Sequence, residues 1–207
     1  MNFEEAREEM VEGLQRRGLV ERESTAEALR SVPRHEFVPE ERRERAYHDR
    51  PLPIGEGQTI SAPHIVGTMV DKLELSAGEE VLEIGTGCGY HAAVTAEVVG
   101  PGNVYSVEYH EKLAEQARER FDRQGYEIAV RTGDGHEGWP EHAPYDAAYL
   151  TCAARTMPDA LIDQVRTGGY VLGPIGSVRQ QLVRLTVREE RTERETFGGV
   201  RFVPMQG

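Results

Sequence analysis

The sequence predicts an α/β protein: a doubly wound, mostly parallel sheet with extra helices placed ahead of it. Three observations carry that expectation. From residue 65 onward, short apolar runs alternate with helical stretches. Val81 to Tyr90 reads as a strand, a glycine turn and a helix start. An acidic residue, Glu108, closes the next strand. A chain of 207 residues is long enough to bury a sizeable core. We read residues 1–207 as one domain, with helices and a loop over 1–64 and the α/β core with closing strands over 65–207.

The elements follow in order. Phe3, Ala6, Met10 and Leu14 recur at helical spacing, and Gly18 ends that helix. Ser24 with Glu27 has the form of a capping box, so a second helix is expected to begin there and to end before Pro33. Pro39 to Pro63 is rich in proline and glycine and is expected to be a long ordered loop. It also carries Leu52, Ile54 and Ile60, which a flexible tether would not need. A helix over 65–75 precedes a strand over Glu80–Ile84. Helices over Tyr90–Val99 and Glu111–Gln124 flank a strand over Val104–Glu108. Strands near Ile128–Arg131, Tyr145–Leu150 and Tyr170–Leu172 follow, with a helix over Asp159–Val165 before the last of them. Gln181–Val187 and Val200–Val203 read as terminal strands.

Charge narrows the partners. There are 36 acidic residues against 24 basic ones, a net charge of −12, and Lys72 and Lys112 are the only lysines. That balance argues against nonspecific nucleic-acid binding, which needs basic patches. It is compatible with life in high salt, the alternative being an acidic protein with an arginine-rich coding bias. The two cysteines, Cys88 and Cys152, lack metal-ligand spacing and cannot build a disulfide framework. Met1 to Glu9 is acidic and lacks the basic and apolar regions of a signal peptide. No apolar run is long enough to span a bilayer. The chain is expected to be cytoplasmic, to act as a monomer, and to have no metal, nucleic-acid or membrane partner.

The glycine turn carries the first chemical signal. Glycine lets backbone approach a ligand without a Cβ in the way, and the helix start supplies free N–H groups. A dinucleotide fingerprint wants a further glycine where Tyr90 stands. The spacing is instead G-x-G-x-G, with Glu83 two residues ahead of Gly85. That pattern resembles the first motif of the class I S-adenosylmethionine methyltransferases and disfavours an NAD oxidoreductase. Glu108, 23 residues beyond Gly85, stands where an acid can accept hydrogen bonds from both ribose hydroxyls. Gly133-Asp134-Gly135 reads as a turn by itself. After the third strand it resembles the element that meets the adenine amino group.

A second run is more discriminating. Asp49-Arg50-Pro51-Leu52-Pro53-Ile54-Gly55 leads into Gly57-Gln58-Thr59-Ile60-Ser61-Ala62-Pro63-His64. With Val32-Pro33-Arg34, Phe37-Val38-Pro39 and the closing Arg201-Phe202-Val203-Pro204, it resembles the protein-L-isoaspartate (D-aspartate) O-methyltransferases. These repair enzymes methylate damaged aspartyl sites. The resemblance covers most of the chain and implies residue roles. Ser61 matches the family's active-site serine. Ile60, Ala62, Pro63, His64, Val203 and Pro204 match substrate-side positions. Glu83, Gly85, Thr86, Gly87 and Gly89 match the cofactor loop, Glu108 the ribose acid, and Asp134 and Gly135 the adenine side. The cofactor implied is S-adenosyl-L-methionine, with S-adenosyl-L-homocysteine as product. One departure is visible. Thr151-Cys152-Ala153-Ala154-Arg155 replaces a small-residue run closed by proline, and Arg155 is either a surface arginine or a lure for an anionic substrate.

The function implied is methyl transfer to the free α-carboxylate of L-isoaspartyl residues in damaged proteins and peptides. A carboxylic acid of pKa about 4 is already ionised at neutral pH, so no general base is required, and His64 is expected to shape the loop. The alternatives are a methyltransferase of the same fold acting on another carboxylate or small molecule, and a non-catalytic cofactor-binding protein.

Overall fold

The computed structural model describes residues 2–207. The polypeptide begins with α1 (Phe3–Arg16), which buries Met10, Val11 and Leu14. Its start is capped by the Asn2 side chain, which accepts from the Glu4 and Glu5 amides. The next helix, α2 (Glu23–Ser31), corrects an expectation. No capping box forms at Ser24, and Glu23 is already helical. The acceptor comes instead from Asp71, far along the chain, whose carboxylate takes the Glu21 and Arg22 amides at 3.2 and 3.0 Å. A buried carboxylate from a neighbouring helix has replaced the local cap.

The segment expected as a loop contains regular structure. After a 3₁₀ turn over Glu40–Arg45 comes a hairpin of β1 (Leu52–Gly55) and β2 (Gln58–Ile60). Its turn residues Glu56 and Gly57 both have positive φ, 50° and 71°, the twist that a two-residue hairpin prefers. Leu52 and Ile54 face inward while Pro53 faces out, which explains the apolar residues of this stretch. Then α3 (Pro63–Leu73) starts with proline at its first turn, where no amide partner is needed.

The main sheet has the order β5-β4-β3-β6-β7-β8-β9. Its strands are β3 (Val81–Ile84), β4 (Val104–Glu108), β5 (Ile128–Thr132), β6 (Tyr145–Leu150), β7 (Val165–Ile175), β8 (Gln180–Val187) and β9 (Thr192–Val200). The helices between them are α4 (Tyr90–Val99), α5 (Glu111–Gln124) and α6 (Asp159–Asp163). From β5 to β7 all pairings are parallel, and β8 and β9 add on antiparallel. The central strands β3, β4 and β6 are buried on both faces. Val81, Ala147 and Tyr149 join the core shared with α1 to α4, and Leu82, Ile84, Ala148 and Leu150 join the core beneath α6. The chain winds from β3 out to β5, then returns to the other side of β3 with β6. Ligands bind at the carboxyl ends of strands beside such a reversal.

Two boundaries differ from expectation. The helix α6 ends at Asp163, and β7 runs from Val165, well before Tyr170. The last strand is Thr192–Val200, not Val200–Val203. It is an edge strand exposed along most of its length, so it has no apolar alternation to read. Val203 and Pro204 owe their apolar character to a different contact. The tail turns back along Ala153, whose amide donates to the Val203 carbonyl and whose carbonyl accepts from the Met205 amide, both at 2.8 Å. Among the described residues no helix is long and apolar enough to cross a membrane.

Candidate active site

A cleft open to solvent lies at the carboxyl ends of β3, β4 and β6. One wall is the glycine turn after β3. Gly85, Gly87 and Gly89 all hold positive φ. At Gly85 the requirement is also spatial, because a Cβ there would overlap the Thr151 hydroxyl. Glu108 is buried at the end of β4, with Oε2 accepting from the Gly87 amide at 2.8 Å and Oε1 from the His110 amide at 2.9 Å. Each carboxylate oxygen keeps acceptor capacity toward the cleft.

Beneath this wall runs a buried hydroxyl chain. Thr86 and Ser106 share a hydrogen bond at 2.6 Å, Ser106 is bonded to Glu83, and Tyr149 is bonded to the other Glu83 oxygen at 2.9 Å. Burial pushes the Glu83 carboxyl up to about 8, against the lowering effect of those two hydroxyls. Glu83 therefore lies under the cleft and supports Thr86 through Ser106; it is not part of the cleft lining.

The opposite wall is the hairpin and the start of α3. Gln58 to Ser61 and Val66 line it. The hairpin reaches across to the first wall: Ile54 packs toward Gly87, Gln58 Nε2 lies 3.4 Å from His110 Nε2, and Glu56 pairs with Lys112 at 3.0 Å. Ser61 is held by a residue distant in sequence. Arg34, fully buried, donates to the Ala46 carbonyl at 2.7 Å and to the Ser61 carbonyl at 2.6 Å, and its guanidinium stacks 4.7 Å from the Tyr90 ring centroid. Arg120 does the same for the glycine turn, donating to the Cys88 and Glu36 carbonyls at 2.7 and 3.1 Å. Burial lowers the pKa of both arginines.

The expected site residues divide. Ile60, Ser61, Gly85, Thr86, Gly87, Glu108, Gly135, Val203 and Pro204 line one cleft. Six others do not. Glu83 lies beneath it, as described. Gly89 caps α4 and faces the Phe121 ring, so its lack of a Cβ serves helix packing. Asp134 binds its own turn, accepting from the His136 amide at 2.9 Å and ring nitrogen at 2.8 Å, which lowers its pKa, and the tail residue Gly207 packs against its carboxyl. Ala62 and Pro63 open α3. His64 and Arg17 both bind Asp49, at 2.7 Å each, in a brace at the base of the hairpin. The pKa of Asp49 falls, its burial being outweighed by the hydrogen bonds from Arg17 and His64.

The structure also brings in residues that sequence reasoning missed. Tyr109 and His110 follow Glu108 into the cleft, Thr151 and Cys152 follow β6, and Met205 extends the tail wall. Each is adjacent to an assigned residue or a strand end, which is the only signal they carried. The Cys152 thiol, pushed up to about 12 by burial, stays neutral and packs as a small apolar group. Arg155 is exposed and outside the cleft lining.

A cleft at the reversal point, walled by a glycine turn, a buried acid and the C-terminal tail, is the ligand site of a doubly wound nucleotide-binding fold. Comparisons narrow the class. The family model described as protein-L-isoaspartate(D-aspartate) O-methyltransferase (PCMT) matches residues 5–207. A protein-L-isoaspartate O-methyltransferase from Archaeoglobus fulgidus is 47% identical, covering 100% of this chain and 95% of its own. One from Methanothermobacter thermautotrophicus is 48% identical over 97% and 95%. A solved protein-L-isoaspartate O-methyltransferase superimposes with a TM-score of 0.88 at 31% identity, over 97% of this chain and 66% of that one. A Plasmodium falciparum beta-aspartate methyltransferase in complex with S-adenosyl-L-homocysteine shares the fold, with a TM-score of 0.85 at 22% identity over 97% and 98%. The chain belongs to the protein-L-isoaspartate O-methyltransferase family, and its activity is S-adenosylmethionine-dependent methylation of isoaspartyl residues.

Proposed function

We propose that the cleft divides this work between its two walls. The glycine-turn wall binds the cofactor: Gly85 and Gly87 give backbone access, Glu108 takes the ribose hydroxyls, and Gly135 with Met205 encloses the base. The residues fit such a group, because the two Glu108 oxygens are fixed by backbone amides and each keeps acceptor capacity toward the cleft. When bound, the cofactor supplies an electrophilic methyl group on a sulfonium cation.

The hairpin wall presents the acceptor. The observation that carries this assignment is the Arg34 clamp, which fixes the Ser61 carbonyl at 2.6 Å and places Ser61 in the same cleft as Glu108. Ser61 hydrogen-bonds the acceptor carboxylate and aligns its oxygen with the methyl carbon. The carboxylate arrives ionised, so no residue has to remove a proton. Attack brings anion and cation together, and Ile60, Val66 and Val203 exclude water that would screen their attraction. His64 is spent on the Asp49 brace and does not act as a base.

The reading extends to how the enzyme works in the cell. A monomer suffices, because one chain supplies every cleft residue; light scattering should return about 23.1 kDa. Both cysteines are free thiols, which suits a reducing cytoplasm. The deciding assay is radiolabelled methyl transfer to an isoaspartyl peptide and its aspartyl twin across salt concentrations. Transfer to the isoaspartyl form alone supports the reading. Equal transfer to both, or transfer only to another carboxylic acid, overturns the substrate assignment.

A further inference from the structure

Gln180 opens β8, half-buried and outside the cleft lining. Its backbone pairs with Val200, the last residue of β9. Beyond Val200 the chain leaves the sheet, and the Gln180 side chain takes hold of it again two residues on. The Phe202 amide donates to Gln180 Oε1 at 2.6 Å, and Gln180 Nε2 donates to the Phe202 carbonyl at 3.1 Å. One primary amide thus engages both backbone groups of Phe202, as a paired strand would. Among the described residues the Phe202 backbone has no other hydrogen-bond partner. The Phe202 ring packs on the core shared with α1 to α4. The residues that follow, Val203 to Gln206, form the tail wall of the cleft. Ala153 ties that wall through the Val203 carbonyl and the Met205 amide, and Gln180 ties the residue from which it springs.

We propose that Gln180 is a positioning residue for the acceptor: its side-chain amide clamps Phe202 and so sets where Val203 stands against the bound peptide. The inference rests on the assignment of the Val203 and Ser61 side of the cleft to the acceptor. A shift of the tail at Val203 changes the space facing Ser61 and leaves Gly85, Gly87 and Glu108 untouched. Met205, beside Gly135 on the base side, keeps its own bond to the Ala153 carbonyl. Alignment of an attacking oxygen depends steeply on placement, so a small displacement of the wall is felt in turnover of the acceptor. The clamp also needs this residue type. It takes one donor and one acceptor on a single planar group at the end of a two-carbon stem. An ionised glutamate has the length but no donor, and would set a carboxylate against the Phe202 carbonyl.

Two substitutions of similar length grade the clamp. Gln180→Met removes both hydrogen bonds; Gln180→Glu keeps the bond from the Phe202 amide and loses the other. Gln181→Ala, one residue along and exposed, is the control for damage to β8 itself. Hydrogen exchange at the tail amides, the KM and kcat for an isoaspartyl peptide and the dissociation constant of S-adenosylhomocysteine are measured for each, with thermal melts as the folding check. In Gln180→Met the Phe202 amide should exchange about tenfold faster, while the Met205 amide stays within about threefold. Two neutral hydrogen bonds are worth enough to expect a rise in peptide KM of about fivefold to fiftyfold in Gln180→Met, and of about twofold to fivefold in Gln180→Glu. The S-adenosylhomocysteine constant should stay within about threefold in both, and Gln181→Ala within about twofold throughout. Unchanged exchange at Phe202 overturns the clamp. Faster exchange with peptide KM within twofold of wild type overturns its role in positioning. Peptide KM and the S-adenosylhomocysteine constant rising together would show a merely structural residue, and also overturn the proposal. If Gln180→Met does not fold, Gln180→Ala takes its place with the same expectations. Should wild type methylate a different carboxylic acid, the substrate reading fails, and the KM of that acceptor tests Gln180 instead.

Discussion

Each wall of the cleft is held by an arginine distant in sequence, Arg120 at the glycine turn and Arg34 at Ser61, but the course of the first wall is also dictated by a contiguous strand, glycine turn and helix start. On the first wall, positive-φ glycines, a strand end and a helix start follow one another between Val81 and Tyr90, and Glu108 reaches Gly87 from the adjacent strand. On the second wall, Ser61 depends on Arg34, which lies 27 residues earlier and is wholly buried. Cofactor binding should therefore tolerate damage to the hairpin, and acceptor binding should be sensitive to residues that never touch the acceptor.

The largest expected effect breaks the second wall. Arg34→Met leaves the Ala46 and Ser61 carbonyls without donors, at about 1–3 kcal/mol each. Thermal or urea unfolding should show that loss, and peptide KM should rise far more than the S-adenosylhomocysteine constant. Equal rises in both would show that the walls are not independent. Glu108→Ala attacks the first wall and frees the Gly87 and His110 amides. S-adenosylhomocysteine affinity, read by calorimetry, should fall about tenfold to a hundredfold.

A pH effect sharpens what lies beneath the first wall. Glu83 is raised from an ordinary 4.5 to about 8 by burial. Between those values the folded chain holds a proton that the unfolded chain has released. Stability of the ligand-free protein should thus fall as pH rises from about 6.5 to 8, by up to roughly 1.4 kcal/mol per pH unit; below 6.5 the buried His91, neutral when folded and protonated when unfolded, offsets that slope. It should level off above about 8, and Glu83→Gln should flatten the slope in melts taken from about pH 6.5 to 9. The smallest effect concerns chemistry on the second wall. Ser61→Ala should lower kcat about two- to tenfold, the worth of one hydrogen bond, with S-adenosylhomocysteine binding intact. His64→Gln, loosening only a half-exposed brace, should leave turnover within about twofold and shift no limb of the pH–rate profile.

The sequence determined whatever depends on residues close in the chain. The β3–turn–α4 unit, the strand-end acid, the alternation of strands and helices, and the T-I-S-A-P-H run that marks the family were all legible, because each is written in residues adjacent along the chain. Only the tertiary structure decided the rest. Asp71 replaced the capping box at Ser24, an exposed edge strand appeared at Thr192–Val200, and Asp134 turned to its own loop while the tail closed over it. It also put Glu83 under the cleft and joined Arg34 to Ser61. These outcomes have one physical cause. A buried donor or acceptor must find a partner wherever the fold brings one, and sequence order does not say which group that will be.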